Sequence, residues 1–248
     1  MARKTQKTFP SNRQQTMKAP SKDAPLKRRR LDPEDREREI VNGAVSFFAE
    51  VGFDGSLRDL ADRIGITHQN LFRYFPNKEA LIERVYKEVY LSRWQREWEA
   101  LLKNPSQTLE ERLTAFYQAY FPAIYRYDWV RIFVFAGLKD VGITKRYLAF
   151  IQKKVIEPIG FDLRRAAGFP EDPDTPLSPD ELEIAWRLHG ELFYLAVRKW
   201  VYAMPTPVDL KWIVESAVAG FLEGAPAALR KVAERSRPRN ATAARKRS

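Results

Sequence analysis

Between positions 67 and 78 the chain carries a run of side chains suited to hydrogen bonding: Thr67, His68, Gln69, Asn70, Arg73, Tyr74 and Lys78. An amide side chain can donate and accept in one plane, as the edge of adenine requires, while guanidinium, ammonium and hydroxyl groups suit phosphate oxygens. No nucleophile–base pairing, glycine-rich phosphate loop or metal-ligand cluster stands out, so an enzyme is not expected. The two histidines, His68 and His189, fall in segments expected to belong to separate domains, which does not supply convergent metal ligands. Neither a metal nor a cofactor is expected. The chemistry is that of recognition.

Such side chains need a rigid element to present them. Leu57, Leu60, Ala61 and Ile64 recur at helical spacing and give one apolar face to a short helix opened by Ser56. Gly65 can stop that helix in the left-handed conformation, because no Cβ opposes it. Thr67 then offers a hydroxyl to cap a second helix, in which Leu71, Phe72 and Phe75 fall on roughly one side. Two short helices joined by a glycine turn form a helix-turn-helix, whose second helix can enter the DNA major groove.

Residues 36 to 86 resemble the TetR family of bacterial transcriptional regulators. The resemblance rests on Ala44, Phe47 and Phe48 in an amphipathic first helix, then Gly52-Phe53, Ser56, Gly65-Ile66-Thr67, and Leu71-Phe72-x-Tyr74-Phe75-x-Asn77-Lys78-Glu79. It implies DNA contacts from Ser56, Thr67, His68, Gln69, Asn70, Phe72, Arg73, Tyr74 and Lys78. Gln69 would pair with adenine and Phe72 would touch a thymine methyl, while Ser56, Thr67, Arg73, Tyr74 and Lys78 would hold phosphates. Two positions depart from the family: 69 is often small there, and 72 is usually tyrosine. The operator sequence therefore does not transfer. Four of these positions also have a plainer role open to them: Phe72 as core, Arg73 and Lys78 on a solvated face, Asn70 as support for its own helix start.

A chain of 248 residues can bury a substantial core, contains no cysteine, and has no apolar run of the ~18 residues that a membrane span needs. A soluble, cytoplasmic protein is expected, with no membrane partner. The net charge of +11 is uneven: residues 1–30 carry +9 and residues 230–248 carry +7, which leaves −5 on the body. Residues 1–30 have little to bury and are expected to be a disordered basic tail, able to add salt-dependent phosphate contacts or merely to solubilise. Residues 31–80 are expected to form the DNA-binding domain, 81–233 a helical effector-binding and dimerisation domain, and 234–248 a second disordered basic tail.

The helical pattern continues throughout, giving an all-α expectation. Helix 1 should start at Asp32 and stop at Gly52, and one long helix should run from Lys78 to about Lys103, with Trp94 and Trp98 on its distal face. Pro122 should kink or break the helix from Thr108 to Arg126, and Thr144 should cap one reaching about Ala167. Ser178-Pro179-Asp180-Glu181 reads as a capping box opening a helix to about Ala203, and Pro205-Thr206-Pro207 turns into a last helix ending near Ala233. The aromatic density of the central helices suits a plain core. The resemblance adds a small-molecule effector of unknown identity held in this region, with Tyr117, Tyr120, Phe121, Arg131, Phe135, Tyr147 and His189 as candidates to line its pocket. It also makes the last two helices a homodimer surface through Trp186, Phe193, Ser216, Gly220 and Gly224, unless the small residues pack against the chain's own preceding helix. The function expected is a repressor released from a palindromic, double-stranded operator by its effector. The alternative is a constitutive or architectural DNA binder without an effector.

Overall fold

A computed structural model describes residues 32–169 and 175–236, and the regular structure among them is helical. The expectations for the arm 1–30, for the tail beyond Ser236 and for residues 170–174 of the proline-rich loop lie outside the described residues.

Helix α1 (Pro33–Val51) begins where the Asp32 carboxylate accepts the Glu34 N–H at 2.9 Å, and its first turn is acidic, which complements the helix dipole. Ile40, Ala44 and Phe48 are fully buried on the face that supports the next two helices. Helix α2 (Leu57–Ile64) ends at Gly65 with φ 68° and ψ 39°, and Thr67 caps α3 (His68–Tyr74). The approach of α2 to α1 depends on Gly43, which the sequence pattern did not single out. A Cβ there would lie 2.3 Å from Ile64 Cγ2.

Helix α4 (Lys78–Tyr86) does not run on to Lys103. It widens into a π-helical turn (Lys87–Leu91), breaks, and resumes as α5 (Arg96–Leu102). Tyr90 lies in the π turn, fully inside, and donates its hydroxyl to the Trp129 carbonyl at 3.1 Å, while Arg93 in the break pairs with Asp128 at 2.8 Å. Trp94 in the break and Trp98 of α5 meet edge to face at 5.3 Å and both pack against Tyr120, so Trp98 is core and not a distal face.

Helix α6 (Leu109–Ile124) runs through Pro122 for two further residues. A proline so near the end removes only one N–H from the ladder, and Tyr125 still donates to Phe121 at 2.8 Å. Helix α7 (Tyr127–Lys139) stops at Asp140, which adopts φ 49°. Gly142, not Thr144, is the cap of α8 (Ile143–Ile151); the Thr144 hydroxyl instead donates to the Phe133 carbonyl at 2.9 Å. A second π-helical turn (Gln152–Ile156) joins α8 to α9 (Glu157–Ala166).

The Ser178/Glu181 capping box opens α10 (Pro179–Trp200) as its sequence predicts. Helix α11 (Leu210–Ser236) starts after Asp209, whose carboxylate accepts the Lys211 and Trp212 N–H groups at 3.0 Å. It extends past Ala233 into the segment expected to be tail. Helices α6, α10 and α11 pack together, and α7 packs against α1.

Candidate nucleic-acid interface

The outward face of α3 is built by the turn before it. The Thr67 hydroxyl accepts the Asn70 N–H at 3.1 Å, which fixes the first turn, and Leu71 is buried beneath while His68, Gln69, Phe72 and Arg73 stand exposed. Among the described residues Gln69 and Arg73 make no side-chain hydrogen bond or ion pair within the chain, so both are available to an outside partner. Phe72 is 40% exposed and meets the His68 ring edge-on at 4.6 Å. It is therefore not a core residue. Tyr74 is half-buried against the core, with Phe75 closing the helix beneath it.

The two expected phosphate ligands flanking this face are partly committed elsewhere. The Ser56 hydroxyl, exposed at the start of α2, accepts the Asp59 N–H at 3.0 Å. The Lys78 ammonium donates to the Phe53 carbonyl and, at 2.7 Å, to the Gly55 carbonyl. Two of its three donors thus tie the start of α4 to the loop before α2, which is neither a solvated lysine nor a full phosphate contact. Arg36, at the start of α1, was not anticipated. It shares with Gly65, Thr67, Gln69 and Arg73 a shallow concavity of about 560 Å³, and an ion pair with Glu39 in the next turn holds it.

The seven residues expected to line an effector pocket separate in space. Tyr117 and Tyr120 of α6, Tyr147 of α8 and His189 of α10 come together. Tyr120 and Tyr147 share a hydrogen bond of 2.9 Å between hydroxyls, and the His189 ring lies 6.3 Å from Tyr117 and 5.9 Å from Tyr120. All four are buried, and burial raises the tyrosine pKa values while lowering that of His189 to about 4. Phe121 is buried nearby but turns to Tyr125, 5.1 Å away. Arg131 and Phe135 do not belong with them. They sit on the face of α7 turned to α1, where Phe135 covers Gly52 and Arg131 donates to main-chain carbonyls. Tyr90 and Trp98 do join the cluster, at 5.1 Å from Tyr147 and 5.3 Å from Tyr120. The spacing of four between Tyr86, Tyr90, Trp94 and Trp98 was the only trace of them in the sequence.

The expected dimer residues also divide. Ser216, Gly220 and Gly224 are exposed on the outer side of α11, and a Cβ added at either glycine would meet nothing within 4 Å. The small strip therefore does not pack against α10. Trp212, 60% exposed, and Tyr194 of α10, 54% exposed, are large apolar groups left uncovered on these two helices. Trp186 and Phe193 point inward instead. They share the His189 side of α10, Trp186 lying 5.4 Å from His189 and Phe193 lying 5.2 Å from Phe133. No helix among the described residues is long and apolar enough to cross a membrane, and no group of three or more metal-ligating side chains converges among them.

Residues 40–85 match the model of bacterial regulatory proteins of the tetR family. A 93-residue stretch is 31% identical to the HTH-type transcriptional repressor KstR2 of Mycolicibacterium smegmatis (strain ATCC 700084 / mc(2)155); it covers 37% of this chain and 44% of that protein, so less than half of the relative is spanned. The fold as a whole is similar to a TetR-like transcriptional regulator from Rhodococcus sp. RHA1 (TM-score 0.54, 21% identity, 82% of this chain and 99% of that one). It is also similar to the ketosteroid transcriptional regulator KstR2 of Mycobacterium tuberculosis (TM-score 0.54, 21% identity, 76% and 94%).

Proposed function

Because the chain belongs to the TetR family of bacterial transcriptional regulators, we propose that it is a homodimeric repressor that holds a palindromic operator and releases it when a small molecule enters the helical domain. The observation that carries the DNA half is the outer face of α3. There a capped, rigid helix presents Gln69 and Arg73 with no side-chain partner among the described residues, beside the exposed Phe72. Gln69 reads a base edge, Phe72 contributes an apolar contact, and Arg73 with Thr67 and the remaining Lys78 donor holds the backbone.

Dimerisation uses the outer faces of α10 and α11, where the Ser216, Gly220 and Gly224 strip permits close approach and Trp212 and Tyr194 supply apolar area. A two-fold protein then matches a two-fold operator. The effector acts from the Tyr117, Tyr120, Tyr147 and His189 cluster. That cluster touches Tyr90, which is continuous with α4 and hence with the DNA-binding helices. Binding there need favour one conformation by only ~1–3 kcal/mol to shift operator occupancy.

Sequencing the genomic fragments retained by purified protein at about 150 mM salt tests this, since such salt suppresses binding driven by the basic segments. An enriched palindrome is expected. Recovery without a motif would replace the repressor by a constitutive or architectural DNA binder.

A further inference from the structure

Five buried side-chain polar atoms of the helical domain have no partner among the described residues; three belong to arginines, and the other two, Tyr117 Oη and His189 Nδ1, face a common aromatic cluster. Both belong to buried side chains, on α6 and α10, whose rings are 6.3 Å apart. Buried hydroxyl and imidazole groups are ordinarily satisfied, and a group left unpaired costs the desolvation it cannot recover. Phe116 and Tyr120 of α6 lie against the Tyr117 ring, Tyr120 and Trp186 of α10 lie against the His189 ring, and Trp98 of α5 and Tyr147 of α8 pack on Tyr120 in turn. No carboxylate, ammonium or guanidinium acts on either group, burial being the sole cause of both displaced pKa values.

We propose that the effector is an uncharged, mainly apolar molecule carrying a carbonyl or hydroxyl group, which inserts between α6 and α10 and hydrogen-bonds to Tyr117 Oη and His189 Nδ1. This rests on the effector-released repressor described above and specifies its ligand class. A neutral imidazole and a phenol can each donate or accept, so one ligand oxygen can satisfy both. A carboxylate or ammonium would be buried at this spot with nothing opposite it, a placement that proteins avoid. The aromatic walls suit a flat or alicyclic body.

The same packing sets the direction of the response. In this structure Tyr117, Tyr120 and His189 lie against one another, so insertion must part α6 from α10. The effector therefore binds a different arrangement and draws the population toward it. The Tyr120–Tyr147 hydrogen bond and the Tyr147–Tyr90 contact carry that parting to α4.

The test is thermal unfolding of the full chain and of Tyr117→Phe at pH 7.5, alone and with 2-tetralone, 2-naphthol or 2-naphthoate, each up to about 100 times a 10 µM dissociation constant, where a bound ligand contributes a readily measured shift. Without a probe, Tyr117→Phe should be at least as stable as the parent, because the hydroxyl has no hydrogen bond to lose. At least one neutral probe should raise the parent's Tm, by clearly less in Tyr117→Phe, and 2-naphthoate should leave it unchanged. A Tm drop of about 3 °C or more in Tyr117→Phe alone would assign the hydroxyl to a structural hydrogen bond, through water, and overturn the proposal. Stabilisation by 2-naphthoate equal to that by 2-naphthol, or none by either neutral probe, would overturn it too. Operator selection is read separately, so a palindrome recovered alongside failed probes removes the ligand class and leaves the repressor standing.

Discussion

Arg131 of α7 donates its Nε to the Ala49 carbonyl at 2.5 Å, which makes one guanidinium the cap of a helix in the other domain. Helix α1 has no basic residue in its own last turn, and its terminal carbonyls carry the negative end of the helix dipole. Arg131 also reaches the Glu50 carbonyl at 3.3 Å and the Trp200 carbonyl, the last of α10, at 3.4 Å, between the rings of Tyr127 and Phe135. Two helix ends from two domains thus converge on one charge.

Arg131→Met keeps the length of the side chain and removes the charge and all three hydrogen bonds. It should lower stability by about 2 kcal/mol, since hydrogen bonds involving a charged group contribute more than neutral ones. Arg131→Lys should recover little, because an ammonium cannot span three carbonyls as a planar fork does. Thermal unfolding checks the loss, and faster amide exchange in the last turn of α1 would place it at the seam. Unchanged exchange there would mean that Arg131 is not what holds the two domains together.

Gln69 and Arg73 should fail in different ways. Gln69→Ala should cost about 1–3 kcal/mol at one base position of the operator and relax its specificity, leaving the salt dependence unaltered. Arg73→Ala should weaken binding to every sequence and reduce the salt slope by about one. Titrations of operator and scrambled duplexes at several salt concentrations separate the two. The assignments would be exchanged if Arg73→Ala alone altered base preference.

Gly43→Ala is the substitution that helix propensity recommends and packing forbids. In an exposed helix it should stabilise by up to about 1 kcal/mol. Here the new methyl would meet Ile64 Cγ2 at 2.3 Å, and Ile64 is β-branched and cannot swing aside freely. The expected result is a loss of about 1–3 kcal/mol, as in other overpacked sites, with weaker operator binding because α2 supports α3. A Tm increase would show that the two helices separate without cost.

The helix-turn-helix was legible because its signals are local. Gly65 stops α2 by its own backbone freedom, and Thr67 and Asp32 cap by hydrogen bonds spanning two or three residues. What escaped the sequence was tertiary. Nothing in the pattern from Lys78 to Lys103 announces the π turn, from which Tyr90 donates to the Trp129 carbonyl 39 positions away. Arg131 and Tyr147 looked alike as polar-tipped residues among aromatics. Only the packing of α7 against α1 sends one to the seam, while α8 delivers the other to the cluster. Trp186 and Phe193 sat in the helix expected to dimerise, but the register of α10 turns them to the His189 side and leaves Tyr194 outside.

The outer face of α10 and α11 should be where two copies meet. Gly220→Arg puts a long charged side chain on the open strip, and Trp212→Ala removes one of its exposed apolar groups. Gly220→Arg should convert a dimer to a monomer in sedimentation experiments and abolish cooperative operator binding; Trp212→Ala should weaken the dimer by about 1–3 kcal/mol. A dimer unaffected by both would place the interface elsewhere.

His189 should give the unfolding free energy a pH dependence of definite sign. Its pKa falls from 6.5 to about 4 on folding because burial disfavours the imidazolium, and no charged group offsets this. Between those values the unfolded chain takes up a proton that the folded chain refuses, so stability is lost as pH drops through 6.5 and the loss is complete below about 4. At 1.36 kcal/mol per unit the full loss is about 3 kcal/mol, and about 2 kcal/mol of it falls between pH 6.5 and 5. That upper interval isolates His189 from Glu181, whose pKa is held at about 2 by the Arg164 side chain and whose contribution fades only below 4.5. His189→Leu should therefore flatten the curve between pH 6.5 and 5, whatever it does to absolute stability, and leave the acid limb intact. Parallel curves for parent and variant in urea unfolding would mean that His189 is solvated when folded, and its Nδ1 would then no longer be an unpaired atom awaiting a ligand.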